Sequence, residues 1–281
     1  MKKYWIPIAC ALGVLIALFV SLYPIVADYI NARNQSRAVM SYLDTVASMD
    51  EDGKQAMLEA AREHNGWLLE KPDRFRFTEE ETARYNRLLD TGRGVMGVLE
   101  IDKIDVKLPI YHSTDVSVLQ IGIGHMPSSS LPVGGTGTHA FITGHRGLPS
   151  SKLLTHLDKM AEGDIFVLYI LDDILTYRVD EIKTVLPEDA RTQAIDPGGD
   201  YCTLVTCTPY GVNTHRLLVR GHRIETTRHE PLGAEAHRLN KLLALPFFLS
   251  PALLALLVFA AAKCIQISRG GKAKWPNDMR V

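Results

Sequence analysis

Two long uncharged stretches constrain this chain more than any other feature. Residues 4–27 read YWIPIACALGVLIALFVSLYPIVA and residues 242–262 read LLALPFFLSPALLALLVFAAA, without one Asp, Glu, Lys or Arg. At about 1.5 Å of rise per residue, roughly 20 helical residues cross the ~30 Å hydrocarbon core of a bilayer. The first stretch is longer than the ~7–15-residue apolar region of a signal peptide, and Ile25-Val26-Ala27 is a poor small-x-small cleavage site, so an uncleaved anchor is expected. The second carries Pro246 and Pro251, which leaves a buried core helix as its other reading; its length and the basic tail behind it favour a span. Lys2 and Lys3 precede the first stretch, and Lys263, Arg269, Lys272, Lys274 and Arg280 follow the second. Arg238 and Lys241 on the other flank reduce this contrast without reversing it. The positive-inside rule then places both ends in the cytoplasm and the domain between them outside.

The formal net charge of −1 is thus a sum over two compartments, cationic ends and an acidic middle. That middle has no excess of Lys and Arg with which to grip nucleic acid. A chain that is 46% hydrophobic and 22% charged is not disordered. The expected organisation is an anchor over 1–27, a helical extension over 28–93, a strand-rich domain over 94–226, a linker over 227–241, a second membrane helix over 242–262 and a basic tail over 263–281.

Good helix formers fill 38–49 and 54–64, with Asp50-Glu-Asp-Gly53 as the break between them. Thr78 followed by Glu79, Glu80 and Glu81 is a capping pattern that opens another helix. Residues 65–75, NGWLLEKPDRF, read as an irregular aromatic segment. After Gly92 the texture changes to short strands punctuated by Gly and Pro, predicted at 95–101, 106–111, 139–143, 165–171, 175–185, 201–206 and 216–224. This spacing indicates an all-β barrel or sandwich rather than βαβ units.

Four cysteines occur, at 10, 202, 207 and 264. Cys10 and Cys264 lie in or beside the apolar stretches and read as small apolar packing residues. Cys202 and Cys207 share one β-branched run; their odd spacing sends the side chains to opposite faces, about 16 Å apart at ~3.3 Å per residue. A disulfide needs Cα atoms within about 7 Å, so none forms between them.

Reactive residues concentrate in three places: Thr143-Gly-His145-Arg-Gly-Leu-Pro149, Thr203-Leu-Val-Thr-Cys207 and Asn213-Thr-His-Arg216. Each lies at a strand end, where a rigid scaffold exposes a side chain. Cys207 and Arg216 should face each other across the loop containing Pro209. A thiolate is a strong nucleophile, and a neighbouring cation favours it. His145 suits general acid/base work, and Arg216, which keeps its proton, suits orienting carbonyls and stabilising an oxyanion. Each also has a structural reading: a core thiol, a turn histidine, a surface arginine beside Arg220 and Arg223. A metal quartet of Cys202, Cys207, His215 and His222 is disfavoured by the opposed cysteine faces and the nearby arginines.

The TLVTC run with Arg216 after it, and the TGHRG histidine before it, resemble the sortases, thiol transpeptidases of Gram-positive bacteria. The blocks Lys107-Leu-Pro-Ile-Tyr-His112, Gly122-Ile-Gly-His125, Ser129-Ser-Leu-Pro-Val-Gly-Gly135, 143–149 and 204–221 are most similar to class C, the pilus-polymerising branch. The likeness covers roughly 94–224, together with the helical segment and the two anchors. It implies an eight-stranded sortase β-barrel with a helical N-terminal extension. It also implies Cys207 as acyl-thioester nucleophile, His145 as general acid/base and Arg216 as catalytic arginine, with no cofactor and no metal. Substrates would be pilin or surface proteins with LPXTG-like C-terminal sorting signals, and the acceptor a lysine amine of a pilin.

Two features depart from that pattern. Class C sortases carry a lid with an Asp-Pro-aromatic motif, whereas this chain reads Glu70-Lys-Pro-Asp-Arg-Phe75; Trp67, Asp73 and Phe75 are the candidate lid residues. Cys202 stands where a small apolar residue is expected and reads as a core substitution, with a second functional thiol as the other reading. The competing functions are a sortase of another class that anchors surface proteins to peptidoglycan precursor, and a non-enzymatic pilus scaffold that binds sorting signals. A papain-like protease would need an Asn or Asp orienting the histidine and gives Arg216 no role.

Overall fold

The computed structural model describes residues 5–191 and 194–226. The second apolar stretch, its basic tail, the linker before it, and Lys2 and Lys3 lie outside the described residues. Residues Tyr23–Ala234 make up one compact unit, and the apolar start of the first helix belongs to another.

Helix α1 (Trp5–Ser48) continues through Pro24 and Asp28. Among the described residues it is the one helix long and apolar enough to cross a membrane. Leu15, Ile16, Phe19 and Val20 each expose half or more of their surface, which makes this end of α1 a candidate membrane span. Helix α2 (Glu51–Glu70) starts at the predicted break, with Asp50 Oδ1 accepting from Gly53 N–H at 2.8 Å. Helix α3 (Glu79–Tyr85) opens on the predicted capping box, Thr78 and Glu81 each accepting the other's backbone N–H.

One local expectation fails. Residues 65–70 are not irregular; they form the last turns of α2. The apolar face continues through Ala61, His64 and Leu68, all buried against the protein. Asn65, which alone reads as a breaker, spends its side chain elsewhere: Oδ1 accepts from Leu131 N–H (2.6 Å) and Nδ2 donates to Leu131 C=O (3.0 Å). The irregular segment shrinks to residues 71–78.

Eight strands form a closed barrel: β1 (Val95–Ile101), β2 (Val106–His112), β3 (Ile123–His125), β4 (Thr138–Thr143), β5 (Ile165–Ile170), β6 (Asp173–Val185), β7 (Asp200–Thr208) and β8 (His215–Ile224). Two short helices, α4 (Val116–Leu119) and α5 (Pro187–Arg191), sit in the connections. Strand order is β1-β2-β3-β4-β7-β8-β6-β5, with β2–β3 and β4–β7 parallel and the other neighbours antiparallel. Seven strands fall where the pattern of β-branched and turn residues predicts them. Strand β3 has only three residues, too few for alternation to register.

Alternation along β7 and β8 sorts side chains to two faces. Cys202, Leu204, Leu217 and Val219 join the main core, while Val205 and Leu218 form a second, smaller cluster with Phe141 and Ala190. The helical extension is sewn to the barrel by buried polar groups. Tyr42 Oη donates to Met96 C=O and accepts from Leu171 N–H, and Lys54 pairs with Asp172 at 2.6 Å. Tyr85 Oη lies 2.9 Å from His125 Nδ1 and accepts from Ser113 N–H.

Burial holds three histidines neutral. It lowers His125 to about 3, and His64 and His139 to about 4, against an ordinary value near 6.5. The unfolded chain therefore binds more protons than the folded one between those values and pH ~6.5, so stability is full above that range and falls as pH drops through it. With all three titrating, the loss approaches about 4 kcal/mol per pH unit at its steepest. Urea midpoints read by tryptophan fluorescence from pH 7 to 4 should fall steeply below pH ~6.5.

Candidate functional site

The three candidate residues come from three neighbouring chain segments, and register brings them together. In the β7–β8 ladder Cys207 pairs directly with Arg216. The sequence places Cys207 just past a strand end; the structure extends β7 to Thr208, so the thiol sits within the ladder. On the other side of β7, parallel β4 ends with Thr143 opposite Val205. Past the end of β4 the next residue, Gly144, stays against β7, and His145 follows it. Gly144 N–H donates to Val205 C=O (3.0 Å), and Thr206 Oγ1 donates to Gly144 C=O (2.8 Å). Cys207 and Arg216 are thus cross-strand neighbours, and His145, just past β4, lies at the same end of β7, near enough for the Arg216 charge to act on it.

Cys207 and Arg216 lie on the side of β7 that carries the small apolar cluster. Val205 and Leu218 face the same way as Cys207 and Arg216, at even spacing along their strands, and Phe141 of β4 completes the apolar floor. Cys207 is half-buried, as are His145 and Arg216. His145 has no hydrogen-bond partner on its ring among the described residues, so both nitrogens are available. Its pKa is lowered, chiefly by burial and further by the Arg216 charge. The guanidinium of Arg216 donates through one nitrogen to Asn213 C=O (3.2 Å) and His215 C=O (3.0 Å). No carboxylate neutralises it among the described residues. Arg220, by contrast, is tied to Asp180 at 3.0 Å and to Glu181 at 3.3 Å. The histidine within β4, His139, is fully engaged: Nε2 lies 2.7 Å from Thr203 Oγ1 and Nδ1 3.1 Å from Ala194 C=O.

Arg146 is a residue that sequence reasoning passed over. It reaches Thr208 Oγ1 (3.2 Å), Thr155 C=O (3.2 Å) and Asp158 (2.7 Å), and so joins the residue after His145 to the residue after Cys207. Gly147 allows the turn: its φ is +78°, and a Cβ there would meet the Tyr210 ring at 2.9 Å. A charged residue directly after the histidine was the available signal, but its partners lie far along the chain.

The lid candidates separate. Trp67 belongs to α2 and packs on His64 (5.1 Å between centroids) and Phe77 (6.0 Å). Asp73 and Phe75 stay on the exposed 71–78 segment, where Asp73 Oδ1 accepts from Phe75 N–H. The residue of this segment that reaches the barrel is Arg74, which donates to Ser128 C=O at 2.9 Å.

Cys202 is completely buried in the main core, and burial, reinforced by Asp200, pushes its thiol well above the usual range. Both β7 cysteines are free thiols on opposite faces, so they share neither a disulfide nor, with His215 and His222, one metal ion. Brief iodoacetamide treatment of the folded chain should therefore label Cys207 and leave Cys202 unmodified, with both labelled after unfolding. Peptide mass spectrometry checks this, and labelling of Cys202 in the native protein would overturn it.

Comparison with known proteins matches a sortase domain over residues 99–224. Sortase C1 of Streptococcus agalactiae is 49% identical, with a TM-score of 0.65, over 68% of this chain and 99% of that one. A sortase C of Streptococcus pneumoniae is 42% identical, with a TM-score of 0.62, over 69% of this chain and 100% of that one. Sortase D of Bacillus subtilis is 28% identical over 48% of this chain, and the match spans 66% of that relative's length. With the closed eight-stranded barrel and identity of this level across whole class C domains, the chain belongs to the sortase family of cysteine transpeptidases.

Proposed function

We propose that this protein is a membrane-anchored transpeptidase that cuts an LPXTG-like sorting signal through a Cys207 thioester. It then passes the acyl group to a lysine amine of a pilin subunit. The observation that carries this reading is the grouping of His145, Cys207 and Arg216 beside an apolar floor. The pneumococcal sortase C similar to this chain is described with pilin substrate specificity, which supports a pilin as substrate here.

In the first half-reaction the Cys207 sulfur attacks the carbonyl carbon of the scissile peptide bond. The developing oxyanion is stabilised by Arg216, whose charge no carboxylate among the described residues cancels. The C–N bond breaks as His145 protonates the departing amine, leaving the thioester. In the second half-reaction the incoming lysine amine gives a proton to His145 and displaces the sulfur, forming an isopeptide bond. The uncoupled ring of His145 suits both proton transfers. Asp73 and Phe75, on the exposed segment, and Trp67, behind it, are the elements of a lid that Arg74 holds near Ser128.

The whole-chain reading adds an N-terminal anchor over 1–27, an extracytoplasmic extension over 28–93, a barrel over 94–226 and a second membrane helix over 242–262, with both termini cytoplasmic. The acidic middle between basic flanks supports this topology. A protease-protection assay on oriented vesicles tests it.

Incubation with an LPXTG-like peptide should add the acyl fragment to Cys207, visible as a mass adduct, and Cys207→Ala should abolish both adduct and pilin ladder. Absence of the adduct on the wild-type chain would falsify the reading. Supplying pilin lysine or a wall-precursor amine identifies the acceptor, and exclusive transfer to the latter would replace pilus assembly by wall anchoring. Arg216→Ala should lower kcat/KM by about 10²–10³-fold, the effect of losing a principal oxyanion donor. The rate should also be bell-shaped in pH, because attack needs a deprotonated sulfur and departure of the amine needs a protonated His145; a flat profile from about pH 5 to 10 would remove the acid/base role of His145.

A further inference from the structure

We infer that a polar stripe on α1, Asp28, Asn31 and Gln35, positions His145 by anchoring the loop that carries it. The inference rests on the reading of His145 as the acid/base group and assigns it three positioning residues.

The loop from His145 to Thr155 closes on itself at its base. Leu154 N–H donates to His145 C=O (3.2 Å), Gly147 N–H donates to Thr155 Oγ1 (3.1 Å), and Arg146 Nε donates to Thr155 C=O (3.2 Å). Arg146 then ties this base to Thr208, beside Cys207. At the far end of the loop Ser151 N–H donates to Leu148 C=O (3.4 Å) and Lys152 C=O accepts from Thr155 N–H (2.8 Å), while other polar groups of residues 150–152 turn to α1. Asn31 Nδ2 donates to Ser150 C=O at 2.7 Å. Gln35 Nε2 donates to Ser151 Oγ at 3.0 Å and to Ile121 C=O at 3.0 Å. Asp28 Oδ1 accepts from Lys152 N–H at 3.1 Å. Three consecutive loop residues are thus held by three side chains of one helix.

The spacing 28, 31, 35 is that of a single helical face, so one rigid element supplies all three contacts. Gln35 and Ser151 are buried, at 7% and 3% exposure, so water cannot readily replace their bond. The partners lie more than a hundred residues apart in sequence, and each bond goes to a main-chain atom or a hydroxyl, with Asp28 also 3.7 Å from the exposed Lys152 ammonium. His145 lies at the base of this loop, which Arg146 ties to Thr208, and the α1 stripe holds the loop's far end. Releasing the stripe frees one end of the loop, and a general acid displaced by about 1 Å can lose up to ~10²-fold in rate.

The test uses the full chain in detergent micelles. Asn31→Asp is isosteric but removes the donor to Ser150 C=O. Asp28→Ala removes the acceptor for Lys152 N–H, whereas Asp28→Asn keeps one. We expect kcat for peptide cleavage to fall about tenfold in Asn31→Asp and in Asp28→Ala, with KM within about twofold, and Asp28→Asn to restore turnover. Amide exchange should quicken across residues 145–155 in the two impaired variants while β5 and β6 keep wild-type protection. Unchanged exchange overturns the inference. So does faster exchange with unchanged kcat, because the loop would then be anchored without positioning His145. If Asn31→Asp unfolds, exchange quickens in β5 and β6 as well, and the Asp28 pair decides. If the wild-type chain cleaves no sorting peptide, the transpeptidase reading fails separately. The pH dependence of Cys207 alkylation then replaces kcat: a profile shifted in Asp28→Ala and restored in Asp28→Asn supports the stripe, and identical profiles overturn it.

Discussion

The pairing of β7 between a parallel β4 and an antiparallel β8 is the constraint on which the rest of the structure depends. It closes the barrel between its two halves, since β4 brings in β1–β3 and β8 brings in β5 and β6. Because side chains alternate along a strand, the same register also decides what each residue of β7 meets. A slip of one residue would send Cys207 into the core and turn Cys202 out of it. The main core, filled on this side by Cys202, Leu204, Leu217 and Val219, locks the register against that slip. The nucleophile candidate is therefore held in place by the hydrophobic effect acting on its neighbours.

Around this framework, polar groups are either consumed or left available, and the difference marks the site. His139, Arg220 and Arg146 have their hydrogen bonds satisfied by protein partners. Among the described residues, His145 has no hydrogen-bond partner on its ring and Arg216 has no carboxylate against it. Burial and the adjacent cation keep the His145 ring readily deprotonated. Stability and reactivity are thus assigned to different residues of the same types on the same face of the barrel.

The helical extension is more than a spacer between an apolar helix and a barrel. Tyr42, Asn65 and Tyr85 each satisfy barrel main-chain groups from inside the protein, so removing the extension would leave those groups unpaired. The dry interface this requires is also why His64 and His125 are kept neutral. Acid sensitivity is a consequence of how the extension is attached.

Much of this was legible in the amino-acid order. Most strand positions, the helix break at Asp50, the Thr78 cap, the candidate span at the start of α1 and the opposed faces of Cys202 and Cys207 all follow from local rules of period, length and capping. Those rules act over a few residues and need no knowledge of the fold. Local rules also misjudged residues 65–70, because Asn65 breaks a helix only when its side chain competes for its own backbone, and here it is committed to Leu131. Strand β3, the reach of Arg146 to Thr208 and the attachment of Asp28, Asn31 and Gln35 to the histidine loop could not be read in advance. They join segments far apart in the chain, and nothing in a local pattern encodes which distant carbonyl a side chain will meet. The sequence alone determined which residue types were available and which faces they would occupy; the tertiary structure decided their partners, because register and helix docking are fixed by packing the whole core at once.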